Sequence, residues 1–281
     1  MQEDEARRLA RDSTTIVSDS MSDTEFVKLR IDEGIAIITL DNPPVNVLSP
    51  KVLEELGEAV DQIAKDVSAK GVVITAAGTN AFCAGADVKA FAAMGPEKVP
   101  EMIKLGHSTF NKIEHIDRPV IAAINGLALG GGCELTLACD IRVSSDRARF
   151  SQPEVTLGLI PGWGGTQRLS RLIGPAKAKE MIYTGQMVSA QEAFRIGLVN
   201  KVVPDGEELR ASMDILRVII AKASPLAVKI AKRAINQGMQ KSLSEGLEIE
   251  IRAIQEIATS EDLKEGIQAF MQKRPAKFEG K

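Results

Sequence analysis

Apolar residues occur along the first two thirds of the chain in two alternating patterns. Near residue 27 they alternate with polar residues, and further on continuous apolar runs have the length of buried strands. These runs cover residues 35–40, 71–76 and 119–124, and a further strand is predicted at 141–144. Between them, over 50–70 and 99–115, the apolar positions lie on one helical face. The alternation predicts an α/β chain with parallel strands.

After a last strand predicted at 198–203, the pattern is helical to the end. Ser224 before Pro225 predicts a helix start, and Ser242 with Glu245 predicts a capping box. We expect a poorly ordered extension at 1–22, a core with the active site at 23–206 and a helical oligomerisation subdomain at 207–281. The subdomain is too thin to bury all its apolar positions, among them Ile219, Ile220, Leu226, Ile230, Ile251 and Ile254.

The composition of the chain excludes several classes of protein. None of the apolar runs in the 281 residues approaches the ~18 residues of a membrane span, and a net charge of -3 argues against nucleic-acid binding. Three cysteines are too few for a disulfide scaffold and favour a cytoplasmic protein. Only two histidines are present, without zinc-site spacing. Carboxylates or backbone groups must therefore carry any catalysis.

Glycine-rich segments follow two predicted strands. Residues 84–87 contain Gly85, and three consecutive glycines at 130–132 precede Glu134 at the start of a helix. A helix N-terminus with bare backbone offers unpaired N–H groups to a developing negative charge. The simpler interpretations are a plain turn at Gly85 and a surface carboxylate at Glu134 that compensates the helix dipole.

A third segment combines Glu154 with a glycine-rich loop at 161–165 that contains Trp163. The apolar residues after Glu154 predict an apolar wall that raises its pKa, as a general acid requires. These residues are Val155, Leu157, Leu159 and Ile160. The alternative is a solvated loop carboxylate. For Trp163 the alternatives are a wall of a ligand pocket and a plain core tryptophan.

Together, three motifs resemble those of the crotonase (enoyl-CoA hydratase) superfamily, and the resemblance covers residues 24–281. They are Phe82 to Lys89 (FCAGADVK), Asn125 to Glu134 (NGLALGGGCE), and Gln152-Pro153-Glu154 followed by Leu157 to Gly162 (LGLIPG). The resemblance implies an α/β fold with a crotonase-like spiral of ββα units and a C-terminal helical trimerisation subdomain. It also implies a homotrimer or a homohexamer built as a dimer of trimers.

The resemblance implies the site as well. The N–H groups of Ala86 and Gly131 would form an oxyanion hole for the thioester carbonyl of an acyl-CoA. Glu134 would act as the base toward the attacking water, and Glu154 would exchange the proton at C2. The CoA-binding residues would be Ala84, Ala86, Val88, Lys89 and, across a subunit boundary, Lys273. The acyl pocket would be lined by Phe91, Met94, Pro161, Gly162 and Trp163.

The implied activity is reversible hydration of trans-2-enoyl-CoA, as in fatty acid β-oxidation, with no metal and no cofactor besides the CoA of the substrate. Both glutamates are present, which favours hydration over the alternative of enoyl-CoA isomerisation. Dehydration of a specialised acyl-CoA, the same chemistry in reverse, stays open as an alternative. An inactive homologue and an RNA-binding protein are further alternatives. The basic residues that would bind RNA are Lys222, Lys229, Lys232 and Arg233.

The three cysteines, Cys83, Cys133 and Cys139, are expected to be buried apolar residues rather than nucleophiles.

Overall fold

The computed structural model describes residues 24–281, so the extension expected at 1–22 lies outside the described residues. The strands are β1 (Val27–Asp32), β2 (Ile35–Leu40), β3 (Gly71–Ala76), β4 (Ala81–Cys83), β5 (Val120–Ile124), β6 (Leu127–Leu129), β7 (Ile141–Ser145), β8 (Arg149–Ser151), β9 (Val188–Ser189) and β10 (Lys201–Val203). The helices are α1 (Pro50–Lys65), α2 (Val88–Ala92), α3 (Val99–His115), α4 (Gly131–Leu137), α5 (Gly165–Ile173), α6 (Pro175–Thr184), α7 (Ala190–Arg195), α8 (Glu208–Lys222), α9 (Pro225–Gly238), α10 (Leu243–Ile257) and α11 (Glu261–Met271).

The strands form two sheets. A six-stranded sheet has the order β1-β2-β3-β5-β7-β10 and is parallel except for β1, and a four-stranded sheet has the order β4-β6-β8-β9. Each of β3, β5 and β7 is followed directly by a short strand of the smaller sheet, which then leads toward a helix. This repetition confirms the α/β class and the predicted spiral of ββα units.

Both faces of the large sheet are buried, which explains its continuous apolar runs. In β2, Ile37 lies in the cluster beneath α8, whereas its neighbour Ile38 lies in the larger cluster on the opposite face with α1. Because α8 packs on β3, β5 and β7, its apolar face covers the core sheet, although it follows the boundary predicted at 206. That boundary stays a prediction.

Several element bounds differ from the expected ones. The strand expected at 198–203 covers only Lys201–Val203, and the helix expected over 50–70 ends at Lys65. The helical stretch before residue 184 is two helices, because Gly174 adopts a φ of +81° between them. β4, β6 and β8 were missed because three residues are too few to show a hydrophobic period.

The C-terminal helices begin where the capping residues predicted. Ser224 accepts a hydrogen bond from the Ala227 N–H, and the capping box of Ser242 and Glu245 is present.

Most of the basic residues that were candidates for RNA binding form ion pairs with acidic side chains. Lys229 pairs with Asp117 at 2.6 Å, Lys232 with Asp140 at 2.8 Å, and Arg233 with Glu256. They therefore form no free basic patch. Among residues 24–281 there is no helix that is both long and apolar enough to cross a membrane.

Candidate active site

The three motif segments meet because the strands before them are parallel neighbours. β6 pairs in parallel with both β4 and β8, so the carboxyl ends of the three strands lie at one edge of the small sheet. Ala86 follows β4, Gly131 and Glu134 follow β6, and Glu154 follows β8. The sequence motifs, which are about 20 to 45 residues apart along the chain, thus come together in one site.

Each glycine of the triplet gives space to a different neighbour. Gly130 has a φ of +51°, and a Cβ there would lie 2.8 Å from Glu154 Oε1. A Cβ on Gly131 would lie 2.5 Å from the Trp163 ring, and one on Gly132 would collide with the Cys83 carbonyl oxygen of β4. The bare backbone therefore lets helix α4 begin directly against the first loop and the indole.

Two backbone donors lie side by side at this point. A Cβ on Gly131 would be 3.5 Å from the Ala86 nitrogen, and one on Gly85 would be 3.4 Å from the Gly131 nitrogen. The first loop is fixed by Leu48, whose N–H donates to Gly85 O at 2.8 Å and whose carbonyl accepts from Asp87 N at 3.2 Å. Over residues 24–281, neither the Ala86 nor the Gly131 N–H has a hydrogen-bond acceptor. Neighbouring N–H groups without acceptors are the kind of donors that bind an oxyanion, and this role of the pair stays a prediction.

Glu134 is buried and held by two backbone donors. Its Oε1 accepts hydrogen bonds from Trp163 N at 2.7 Å and Gly165 N at 2.6 Å, and only 2% of the residue is exposed. Burial raises its pKa to about 7, and the nearby charge of Glu154 acts in the same direction. The two N–H groups and Arg168 oppose this rise. Glu134 can therefore exchange a proton near neutral pH.

Glu154 begins a 3₁₀ helix, Glu154–Leu157, and burial raises its pKa as well. The expected apolar wall is wrong in part, because three of its residues point to solvent and only Val155 packs on the core. The exposed residues are Leu157, Leu159 and Ile160. The rise in pKa comes instead from burial against the glycine-rich start of α4, where Gly130 leaves room for the carboxylate.

Gln152 belongs to this site and was not among the predicted site residues. It is fully buried, and with its amide nitrogen turned toward Glu154 it donates to Oε1 at 3.0 Å and Oε2 at 3.2 Å. In that orientation the amide oxygen lies at the other end, where a Cβ on Gly165 would be 2.9 Å from it and 2.9 Å from Glu134 Oε1. Gln152 therefore lies between the two carboxylates. A polar side chain directly after a buried strand was the signal in the sequence.

The residues expected to bind CoA lie on the first loop and beyond the last helix. Ala84 and Ala86 are half-buried, whereas Val88 and Lys89 are exposed on α2, whose N-cap is Asp87. Lys273 is exposed after α11 and has a φ of +53°. Lys89 and Lys273 are thus accessible to an anionic ligand.

The residues expected in the acyl pocket vary in exposure. Phe91 and Met94 are half-buried, Pro161 is buried, and a Cβ on Gly162 would lie 2.8 Å from the Ile103 side chain. The segment after Pro161 and the N-terminal half of α3 are therefore in contact. Their role in an acyl pocket stays a prediction.

Trp163 is only 3% exposed. Its indole packs edge-to-face on Phe110 with a centroid distance of 5.9 Å, and its N–H donates to Met102 O at 3.3 Å. The missing side chains of Gly106 and Gly131 make room for the ring. This packing favours the core interpretation, with one ring edge against an oxyanion donor.

The three cysteines are free and buried. Burial raises the pKa of Cys83 and Cys139 to about 12, and that of Cys133 rises further. Thiols in this state are poor nucleophiles. The structure therefore agrees with their expected role as small buried residues.

A buried carboxylate and a half-buried one, both with raised pKa values and beside two unpaired backbone donors, are the groups that an acid–base enzyme needs if it is to stabilise a developing oxyanion. The model of the enoyl-CoA hydratase/isomerase family matches residues 30–281. The chain belongs to that family.

Characterised relatives match over nearly their whole length. The short-chain-enoyl-CoA hydratase of Clostridium acetobutylicum is 44% identical over 255 residues, which are 90% of this chain and 97% of the relative. The crotonyl-CoA hydratase of Syntrophomonas wolfei is 42% identical over 255 residues, 90% of this chain and 98% of the relative. The crystal structure of an enoyl-CoA hydratase from Bacillus anthracis superposes with a TM-score of 0.88 at 42% identity, covering 92% of this chain and all of that one.

Proposed function

We propose that this protein is an enoyl-CoA hydratase, a hydro-lyase that adds water reversibly across the double bond of trans-2-enoyl-CoA to give 3-hydroxyacyl-CoA. One observation carries the proposal: the buried Glu134 and the half-buried Glu154, both with raised pKa values, share a site with two unpartnered backbone N–H groups. Hydration needs a base for water, a proton for C2 and a stabilised thioester oxygen, and the site contains a group for each.

In the proposed reaction, Glu134 takes a proton from water while the water oxygen forms a bond to C3. The electrons of the double bond move toward the thioester carbonyl, whose oxygen receives hydrogen bonds from the Ala86 and Gly131 N–H groups. Glu154 then gives a proton to C2. Fixed backbone dipoles stabilise the developing charge without reorganising, and losing one such donor typically costs roughly 3–4 kcal/mol. No cofactor is needed besides the CoA of the substrate.

In this reaction Glu134 starts ionised, as a base, and Glu154 starts protonated, as an acid. Burial raises the pKa of both carboxylates, and the charge of Glu154 raises that of Glu134 further, so both can take part in proton transfer. Gln152, between them, favours the arrangement by donating to Glu154.

We propose a short-chain substrate. The names of the Clostridium and Syntrophomonas relatives specify short-chain-enoyl-CoA and crotonyl-CoA. Phe91, Met94, Pro161 and Gly162 would contact the acyl group, and Ala84, Ala86 and Val88 the adenine, with Lys89 and Lys273 at the phosphates. A role in β-oxidation and a cytoplasmic location stay predictions.

We further propose that the enzyme is a trimer or a dimer of trimers. The apolar side chains of α10 and α11 are largely exposed in the single chain, Ile254 by 62% and Phe270 by 86%. Exposed apolar surface of this extent favours burial against another subunit. In such an assembly Lys273, beyond α11, would act across a subunit boundary.

A panel of 2-enoyl-CoA thioesters of increasing length tests the function, with hydration followed by loss of the conjugated thioester absorbance. We expect turnover of crotonyl-CoA with a decline at longer chains. A 3-enoyl-CoA in the same panel detects isomerisation. Isomerisation without hydration would overturn the proposal.

A further inference from the structure

Arg168 lies on α5, just beyond the loop that holds Glu134, and its side chain is only 16% exposed. Its guanidinium donates to Glu114 Oε2 from Nη2 at 2.6 Å and from Nε at 3.0 Å, and to Asn111 Oδ1 at 2.7 Å. Both acceptors belong to α3. Arg168 thus joins α5 to α3 through a partly buried ion pair.

A third contact reaches the loop itself. Nη1 of Arg168 donates to the Trp163 carbonyl oxygen at 3.2 Å. Gly164 has a φ of +112°, and a Cβ there would collide with this same guanidinium nitrogen. The loop therefore bends around the guanidinium, and a glycine is required at the bend.

The position of this contact links it to Glu134. The Trp163 carbonyl belongs to the peptide between Trp163 and Gly164. The peptides on either side of it supply the Trp163 and Gly165 N–H groups, which donate to Glu134 Oε1 at 2.7 and 2.6 Å. Because consecutive peptide planes share a Cα, fixing the middle carbonyl restricts the direction of both N–H groups.

We propose that Arg168 is a positioning residue, which fixes the loop that orients Glu134 and by its charge favours the ionised form of that carboxylate. This inference rests on the proposed function, in which Glu134 must be ionised to accept a proton from water. Arg168 itself does not touch the reacting atoms.

Three neighbours from separate elements set the charge around Glu134. Glu154, after β8, raises its pKa, and Arg168, on α5, lowers it. Cys133, on α4, has a strongly raised pKa and is an uncharged thiol. Arg168 is therefore the cation whose removal should change the titration of Glu134.

The test compares R168M, R168K and R171M. Arg171 is the matched control because it lies on the same helix, is exposed, and donates only to Gln167 among the described residues. The pKa of Glu134 is measured by infrared titration of its carboxyl band, identified by difference from E134Q. The low-pH limb of kcat/KM for crotonyl-CoA is measured on the same proteins.

In R168M we expect the pKa of Glu134 to rise, since the favourable charge is lost. The low-pH limb should move upward equally, and kcat should fall by up to roughly 100-fold as the carboxylate loses its orientation. R168K should keep the titration near that of wild type but recover kcat only in part, because an ammonium cannot reach all three acceptors. R171M should change neither quantity.

The variant E114Q gives a second test that does not depend on R168M folding. Neutralising Glu114 leaves the charge of Arg168 less compensated, so the pKa of Glu134 should fall. An unchanged Glu134 titration in folded R168M, or in E114Q, would overturn the inference. If Glu134 titrates as expected but no enoyl-CoA is hydrated, the proposed function fails while the positioning role of Arg168 stands.

Discussion

At the scale of single residues, the indole of Trp163 packs against Gly131. Its ring occupies the space left by Gly106 and Gly131, and its N–H ties the loop to α3. Tryptophan at this position therefore links the loop that holds Glu134 to the residue proposed to bind the thioester oxygen. Its burial makes packing, rather than contact with the acyl chain, the main role.

We expect W163A to lower the free energy of unfolding by roughly 3–5 kcal/mol, as for loss of a buried aromatic side chain. Because Gly131 loses its support, kcat should fall for all acyl chains alike. The measurements are the melting temperature and the ratio of kcat/KM for a long enoyl-CoA to that for crotonyl-CoA. A ratio that rises strongly would show instead that the indole is a wall of the acyl pocket.

The sequence could indicate which single residues belong to the site only where local sequence made a side chain unusual, as for the two glutamates. Glu134 and Glu154 were candidates because they lie in glycine-rich or apolar sequence, and their catalytic roles, which stay predictions, came from the family resemblance. Gln152 was missed because its role depends on lying between two carboxylates, which only the pairing of β6 with β8 brings about. Arg168 was missed because its partners Asn111 and Glu114 are more than 50 residues away in the chain.

At the scale of elements, the start of α4 is the most constrained point of the site. Gly132 is in contact with the backbone of β4, so no side chain can be accommodated there unless the helix moves. A shift of α4 would separate the N–H groups of Ala86 and Gly131. The three glycines indicated that side chains are excluded at the start of this helix. The residues that exclude them could not be predicted, because they are brought there by three-residue strands that the sequence did not reveal.

We expect G132A to lower the free energy of unfolding by about 1–3 kcal/mol through overpacking, and to reduce kcat as well. G238A is the control, because a Cβ at this glycine of α9 would make an ordinary contact at 3.7 Å. That variant should be neutral or slightly stabilising. Denaturant unfolding and hydration rates check both, and a fully active G132A would contradict this account of the triplet.

At the scale of the whole molecule, the parallel strands follow from the sequence more directly than the assembly does. Apolar runs of six residues predicted three of the six strands of the main sheet. The partners of α10 and α11 could not be predicted, because apolar positions on a helix indicate burial without saying against what. Ile251 and Ile254 lie exposed on α10, whose main packing partner is α9.

We expect light scattering to report a trimer or hexamer at micromolar concentration. Replacing both Ile251 and Ile254 by glutamate should weaken the assembly, because burying two unpaired carboxylates in an interface is costly. Circular dichroism checks that the subunit stays folded. A wild-type monomer at this concentration would contradict the proposed assembly.

The central claim is that two glutamates carry out the hydration, and the rates of E134Q and E154Q test it most directly. Each substitution keeps the side chain's size but removes a proton-transfer group. We expect kcat for crotonyl-CoA hydration to fall by roughly 10²- to 10⁴-fold in each variant, with CoA binding and melting temperature little changed. If either folded variant keeps more than about a tenth of the wild-type kcat, the two-glutamate mechanism is wrong for this protein.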